Sequence, residues 1–303
     1  MDSVTVAYTD VGQSRLLTTR DEICFIPMGA YSLSSTVRHP AVAGLFYPAE
    51  ADALRALIEQ LLADVSVDVD LPSSPKALIV PHAGYPYSGS VAAAAYRLLE
   101  RFRQSISRVV VIGPSHRIYL SGIAMPKAES FVTPLGELPI DAKARYLLAR
   151  RGDVMASDAP HELEHCLEVQ LPFLQTVLND FTLVPLVVGS TTAEHVASVL
   201  RDVWGDSETL IVASSDLSHY LTYEVAREFD EQTATAIRSG RATLSHSQAC
   251  GAYALNGLLR VANDLGLNVS EICRLNSGDT AGDMRRVVGY GAFALHESQR
   301  HAS

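Results

Sequence analysis

Lys76-Ala-Leu-Ile-Val80, running into Pro81-His82-Ala-Gly84-Tyr85-Pro-Tyr87-Ser-Gly89, is the stretch on which the fold turns. A short apolar run closed by proline reads as a strand buried on both faces. The pattern recurs. Arg108-Val-Val-Val-Ile112 runs into Gly113-Pro114-Ser115-His116, and Thr209-Leu-Ile-Val-Ala213 into Ser214-Ser215-Asp216-Leu-Ser218-His219-Tyr220. Further strands are predicted over 182–188 and 287–295. Helical spacing predicts helices over 49–65, where Leu54, Leu57, Ile58, Leu61 and Leu62 share a face, and over 90–103, 140–151, 162–179, 195–203, 223–239 and 251–265. Short apolar strands alternating with helices predict an α/β fold. The expected form is a single domain with a mostly parallel or mixed central sheet covered by helices on both faces.

The chain has 303 residues, 48% of them hydrophobic and 19% charged, as an ordinary globular protein does. Its net charge of −10 and lack of a Lys/Arg run argue against nucleic-acid binding. No stretch approaches the roughly 20 apolar residues of a membrane span, and no signal peptide is visible. Cys24, Cys166, Cys250 and Cys273 form no Cys-x-x-Cys pair, which fits a reduced, cytoplasmic setting. Residues 1–36 are Ser/Thr-rich and weakly periodic. They read as a weakly ordered extension or a start-site artefact, with Met28 an alternative start, ahead of a domain over 37–303.

Ligands of open α/β sheets bind beyond the carboxyl ends of strands. Three predicted strands end in His82, His116 and Asp216-x-x-His219, which would focus imidazoles and a carboxylate on one crevice. Neutral imidazole is the commonest metal ligand. A lone histidine is more often a satisfied turn residue, but three at equivalent positions favour a site. Gly84 and Gly89 suit a tight turn there. His161-Glu162-Leu-Glu164-His165 matches the His-Glu-x-x-His pattern of zinc peptidases, a short and weak signal at a frayed helix start. Cys250-Gly251 precedes a predicted helix, a position expected to favour thiolate.

Val37-Arg-His-Pro-Ala-Val-Ala-Gly44-Leu-Phe46-Tyr47-Pro48 resembles the opening of Memo proteins. Residues 81–89, Gly113-Pro-Ser-His116, Glu164-His-Cys-Leu-Glu-Val-Gln-Leu-Pro172 and Ser214-Ser-Asp-Leu-Ser-His-Tyr220 resemble that family's internal motifs, in the same order over about residues 37–296. In bacteria and archaea such proteins resemble protein B of the AmmeMemoRadiSam set. The resemblance implies a fold similar to class III extradiol dioxygenases of the LigB type. It also implies a metal pocket of His82, His116 and Cys250, with Asp216 and His219 as catalytic neighbours and Tyr87, Glu164, His165 and Phe46 near the substrate.

Fe(II) or Cu is the expected cofactor, Zn is compatible, and the ion need not survive purification. Redox or dioxygenase-like activity on an unknown small molecule follows. The alternative is a non-catalytic scaffold binding a metal, a peptide or AmmeMemoRadiSam partner proteins. Vertebrate members bind phosphotyrosine peptides, but Phe46 stands where they carry Trp. The family motif starts at Glu164, which leaves His161 incidental.

Overall fold

The computed structural model describes residues 6–8, 14–16 and 37–297, apart from 68, 70 and 72. Residues 1–35 and 36–303 form two separate compact units. In the first, β1 (Val6–Tyr8) and β2 (Ser14–Leu16) pair antiparallel. The rest of the expected extension, Cys24 and Met28 included, lies outside the described residues.

In the second unit the elements run β3 (Val37–Arg38), α1 (Ala51–Asp64), β4 (Ala77–Val80), α2 (Tyr85–Arg97), β5 (Arg108–Pro114) and β6 (Ile123–Met125). Then come β7 (Ser130–Thr133), β8 (Gly136–Pro139), α3 (Ala142–Ala149), β9 (Val154–Ala156), α4 (Ala159–Glu162), α5 (Leu171–Val177) and β10 (Thr182–Val188). The chain continues through α6 (Ala193–Val203), β11 (Thr209–Ser214), β12 (His219–Leu221), α7 (Tyr223–Arg238), α8 (Ala252–Asp264), β13 (Asn268–Asn276) and β14 (Val287–His296).

Nine strands make one mixed sheet in the order β12-β14-β4-β11-β5-β10-β6-β9, with β13 also on β14. The centre, β4-β11-β5-β10, is parallel, and β14 and β6 flank it antiparallel. A separate sheet joins β3, β7 and β8.

Strand residues alternate between two cores, as period-2 side chains on a sheet must. Leu78, Val80, Val109, Val111, Leu210 and Val212 face the core shared with Leu54, Tyr96 and Phe173 of α1, α2 and α5. Ala77, Ile79, Val110, Ile112, Ile211 and Ala213 face the core shared with Leu148, Val199, Ile237 and Leu258 of α3, α6, α7 and α8. Helices therefore cover both faces, which is why the central strands read as unbroken apolar runs.

Two local expectations change. The predicted helix over 162–179 is broken: α4 stops at Glu162, a 3-10 turn spans Glu168–Gln170, and α5 restarts with Pro172 in its first turn. Proline fits that position but would clash with a helix continuing from upstream. Residues 84–89 form no tight turn, because α2 already begins at Tyr85. Gly89 is a packing notch instead, since a Cβ there would lie 2.9 Å from Leu61 Cδ1 on α1. Strand β13 had no clean signature. It lies beside β14 with a bulge between Glu271 and Cys273 that breaks its alternation.

Topology gathers the site. The chain passes from β4 through α2 to β5 and skips a slot that β11 later fills. The carboxyl ends of β4, β11 and β5 are thus neighbours, and the residues just beyond them share one crevice.

Candidate metal centre

Beyond β4 stands His82, beyond β5 His116 and beyond β11 Asp216, all lining one cavity of about 1060 Å³ with His165, His219 and Cys250. The rings of His82, His116 and His165 converge, with centroids 4.9 to 5.4 Å apart. One ligand atom from each lies within 4.8 Å of the others, a group able to hold a metal ion. His116, Glu164 and Cys166 form a second such group sharing His116.

Hydrogen bonding fixes how the His82 imidazole presents itself. Ser214 has one proton, and its hydroxyl donates to the Cys166 carbonyl at 2.6 Å. It must therefore accept from both other neighbours, Gln170 Nε2 at 2.8 Å and His82 Nδ1 at 2.9 Å. Gln170 is oriented in turn, because Tyr96 Oη donates to its Oε1 at 2.7 Å and its Nε2 also donates to the Pro81 carbonyl. His82 thus carries its proton on Nδ1 and leaves the Nε2 lone pair bare. Burial, then the neighbouring His116 and His165, holds its pKa well below the usual histidine value, so the ring is neutral.

His116 is arranged in the same way. Its Nδ1 lies 3.0 Å from Glu164 Oε1, and its backbone N–H donates to Oε2 at 2.6 Å. Glu164 Oε1 also accepts the N–H groups of His165 and Cys166 and sits 3.2 Å from His165 Nδ1. Burial would raise the carboxyl's pKa, but the bonds from His116 and His165 hold it well below the usual range. An imidazole held by its far nitrogen on a carboxylate is the usual support of a metal-binding histidine. The donor set therefore fits a transition metal.

Cys250, expected as the third ligand, is in neither group; it comes from the loop before α8, with Sγ 3.3 Å from His82 Nε2 and accepting the Asp216 N–H at 3.3 Å. The expected thiolate-favouring helix start does not prevail. Burial, then the charge of Asp216, pushes the Cys250 pKa up to about 12. Asp216 holds not the His82 ring but its backbone, accepting the His82 N–H at 2.7 Å. Burial raises the Asp216 pKa. His219 Nδ1 lies 2.9 Å from the Leu217 carbonyl, so that nitrogen keeps the proton and Nε2 is the free acceptor.

Of the residues expected near substrate, Phe46 packs 4.9 Å from His165, ring to ring. Tyr87 is 42% exposed and outside the cavity lining. His161 and His165 share no helix, because α4 ends between them. His161 is buried and edge-on to Phe131.

The sequence reading missed the residues that hold the site from behind. Glu168 is fully buried and ion-paired to Arg38. It also accepts Tyr47 Oη at 2.5 Å and the backbone N–H groups of Ala41 and Val42. Arg38 donates as well to the carbonyls of His161 and Glu164, at 3.0 and 2.7 Å. The opening motif is thus the clamp on the segment that carries Glu164 and His165. The signal available was an Arg in the opening motif and a Glu in the motif over 164–172.

A family model described as Memo-like protein matches residues 38–294. The chain belongs to the Memo family. A MEMO1 family protein of Methanopyrus kandleri is 33% identical over 279 residues, covering 85% of this chain and 98% of its own. One from Aquifex aeolicus is 34% identical over 266 residues, covering 84% of this chain and 97% of its own. A solved structure of an uncharacterized Escherichia coli K12 protein aligns at 15% identity and a TM-score of 0.43, over 71% of this chain and 98% of that one. Among the described residues of this Memo protein no helix is long and apolar enough to cross a membrane.

Proposed function

We propose that this Memo-family chain binds a redox-active metal in the histidine crevice and uses it on a small molecule held in the adjoining cavity. The observation that carries the reading is the locked His82 ring: Ser214 and Gln170 force its bare Nε2 toward His116, His165 and Cys250. His82 and His116 are the ligands, and His165 and Cys250 offer further donors beside His82. Imidazole with sulfur suits iron, copper and zinc alike. A bound iron or copper ion would supply redox chemistry and Lewis acidity, as in the extradiol-type enzymes that the family's motifs suggest. His219, with Nε2 free at the cavity wall, is placed to take a proton from a bound hydroxyl. Asp216 keeps the backbone of His82 and the sulfur of Cys250 in register.

The test is metal content after anaerobic purification of the wild type and of His82→Ala, His116→Ala, His165→Ala and Cys250→Ser. Stoichiometric iron or copper in the wild type, lost in the first two variants, is expected. Equal, negligible metal in all five preparations overturns the reading. The sulfur beside His82, where a hard carboxylate would favour oxygen chemistry, supports a second reading: a metal- or peptide-binding scaffold without turnover. Metal-dependent oxygen uptake with any catechol-like compound would exclude it.

A further inference from the structure

The cavity lining does not share the acidic excess of the chain. The protein carries 34 acidic and 24 basic side chains. The cavity is nevertheless lined by a single carboxylate, Asp216, which is 4% exposed and already bonded to the His82 amide. On the same lining stands Arg117, next to His116. Among the described residues its guanidinium has no carboxylate partner, hydrogen bond or ring contact, although Arg38, Arg108, Arg151, Arg201, Arg238 and Arg274 are all ion-paired.

Its loop is pinned. The Ser115 N–H donates to the Val188 carbonyl at 3.0 Å, and the Ser115 hydroxyl donates to the Ile118 carbonyl at 2.7 Å, closing the turn that presents Arg117. Arg117 itself is exposed, and an unpaired guanidinium at a concave site binds planar oxyanions in bidentate fashion. The same lining also carries the apolar side chains of Ile118, Leu221, Val225 and Phe229. Such a cavity buries a small organic body and orients it by one polar anchor.

We propose that the cavity takes an organic monocarboxylate, its carboxylate on Arg117 and its apolar body on the wall of Ile118, Leu221, Val225 and Phe229. One guanidinium balances one negative charge. Arg117 is the single Lys or Arg side chain on that lining, so a monoanion is the matched ligand. The assignment deepens the proposed function and rests on it for the identity of the cavity as the substrate site, but the binding itself requires no metal.

Calorimetric titration with benzoate, benzamide and phenyl phosphate tests it, on the protein as purified and again after chelation. Benzoate should bind both preparations, and benzamide, its uncharged counterpart, at least about tenfold more weakly, the loss of one charge-assisted bond. Arg117→Ala should weaken benzoate by the same factor and leave benzamide unchanged, while Arg55→Ala, a surface control, should change neither. Metal content measured on the same samples separates the two readings. Arg117-dependent benzoate binding in a preparation that never holds metal keeps this inference and removes the metal. Benzoate binding that is absent, equal to that of benzamide, unaffected by Arg117→Ala or lost on chelation overturns it. Tighter binding of phenyl phosphate than of benzoate overturns the carboxylate assignment.

Discussion

Removing the Arg38 guanidinium should cost this protein more stability than almost any other single change to a charged residue. In Arg38→Met the buried Glu168 carboxylate keeps its bonds from Ala41, Val42 and Tyr47 but loses its cationic partner. The carbonyls of His161 and Glu164 each lose one donor as well. Both charged side chains are nearly inaccessible, at 6% and 0%, so water cannot replace what is lost. Breaking a buried ion pair from one side costs about 3 to 5 kcal/mol. A domain of this size loses roughly 2 to 4 °C of Tm per kcal/mol, so a fall of about 10 °C is expected.

Calorimetry on chelated wild type, Arg38→Met, Glu168→Gln and the double variant measures it. The double variant should be less destabilised than the sum of the two single ones, by at least about 1 kcal/mol, since it leaves no orphan charge. A loss under about 1 kcal/mol in Arg38→Met, or strict additivity, would refute the clamp.

His161 should make the fold acid-sensitive. Burial, then the charge of Arg38, lowers its pKa to about 3. Its contribution is complete above the unfolded-state pKa of about 6.5 and is lost as pH falls toward the folded value, at up to roughly 1.4 kcal/mol per pH unit. His82 adds a second such slope, so His161→Leu should remove about half of the pH dependence of urea stability between about pH 6 and 5, before carboxylates titrate; an unchanged slope would contradict the assignment.

Gly289→Ala should cost about 1 to 3 kcal/mol in urea unfolding, because a Cβ there would stand 1.9 Å from Asp230 Oδ2 and push the carboxylate off the Ser218 N–H, which it holds at 3.0 Å; a neutral result would mean that the loop before His219 does not depend on Asp230. With its pKa raised to about 12, Cys250 in chelated protein should alkylate slowly at about pH 8, with a rate still climbing above about pH 10, as followed by mass spectrometry of iodoacetamide adducts. Rapid labelling at about pH 8 would show a thiolate instead.

The strands and their histidines were legible because each run is local. Apolar residues 77–80 and 109–112 sit between two cores and need no polar alternation, and Pro81 and Gly113-Pro114 end the runs where the chemistry begins. His82, His116 and Asp216 could therefore be placed at strand ends from spacing alone. Cys250 was not legible in that way. It lies 168 residues from His82, and its place beside that histidine came only through likeness to a family.

The sequence by itself determined which residues stand at the ends of buried strands, because burial on both faces leaves its mark in every consecutive side chain. Only the tertiary structure decided which of those ends meet. The slot between β4 and β5 is filled by a strand more than ninety residues later in the chain. The helix expected to carry His165 breaks at Glu162, because Glu164 turns back to accept the backbone N–H groups of His165 and Cys166. Arg38 holds that break in place from across 130 residues of sequence. Such pairings are set by what is left unsatisfied once the core has closed. No local run of sequence carries that information.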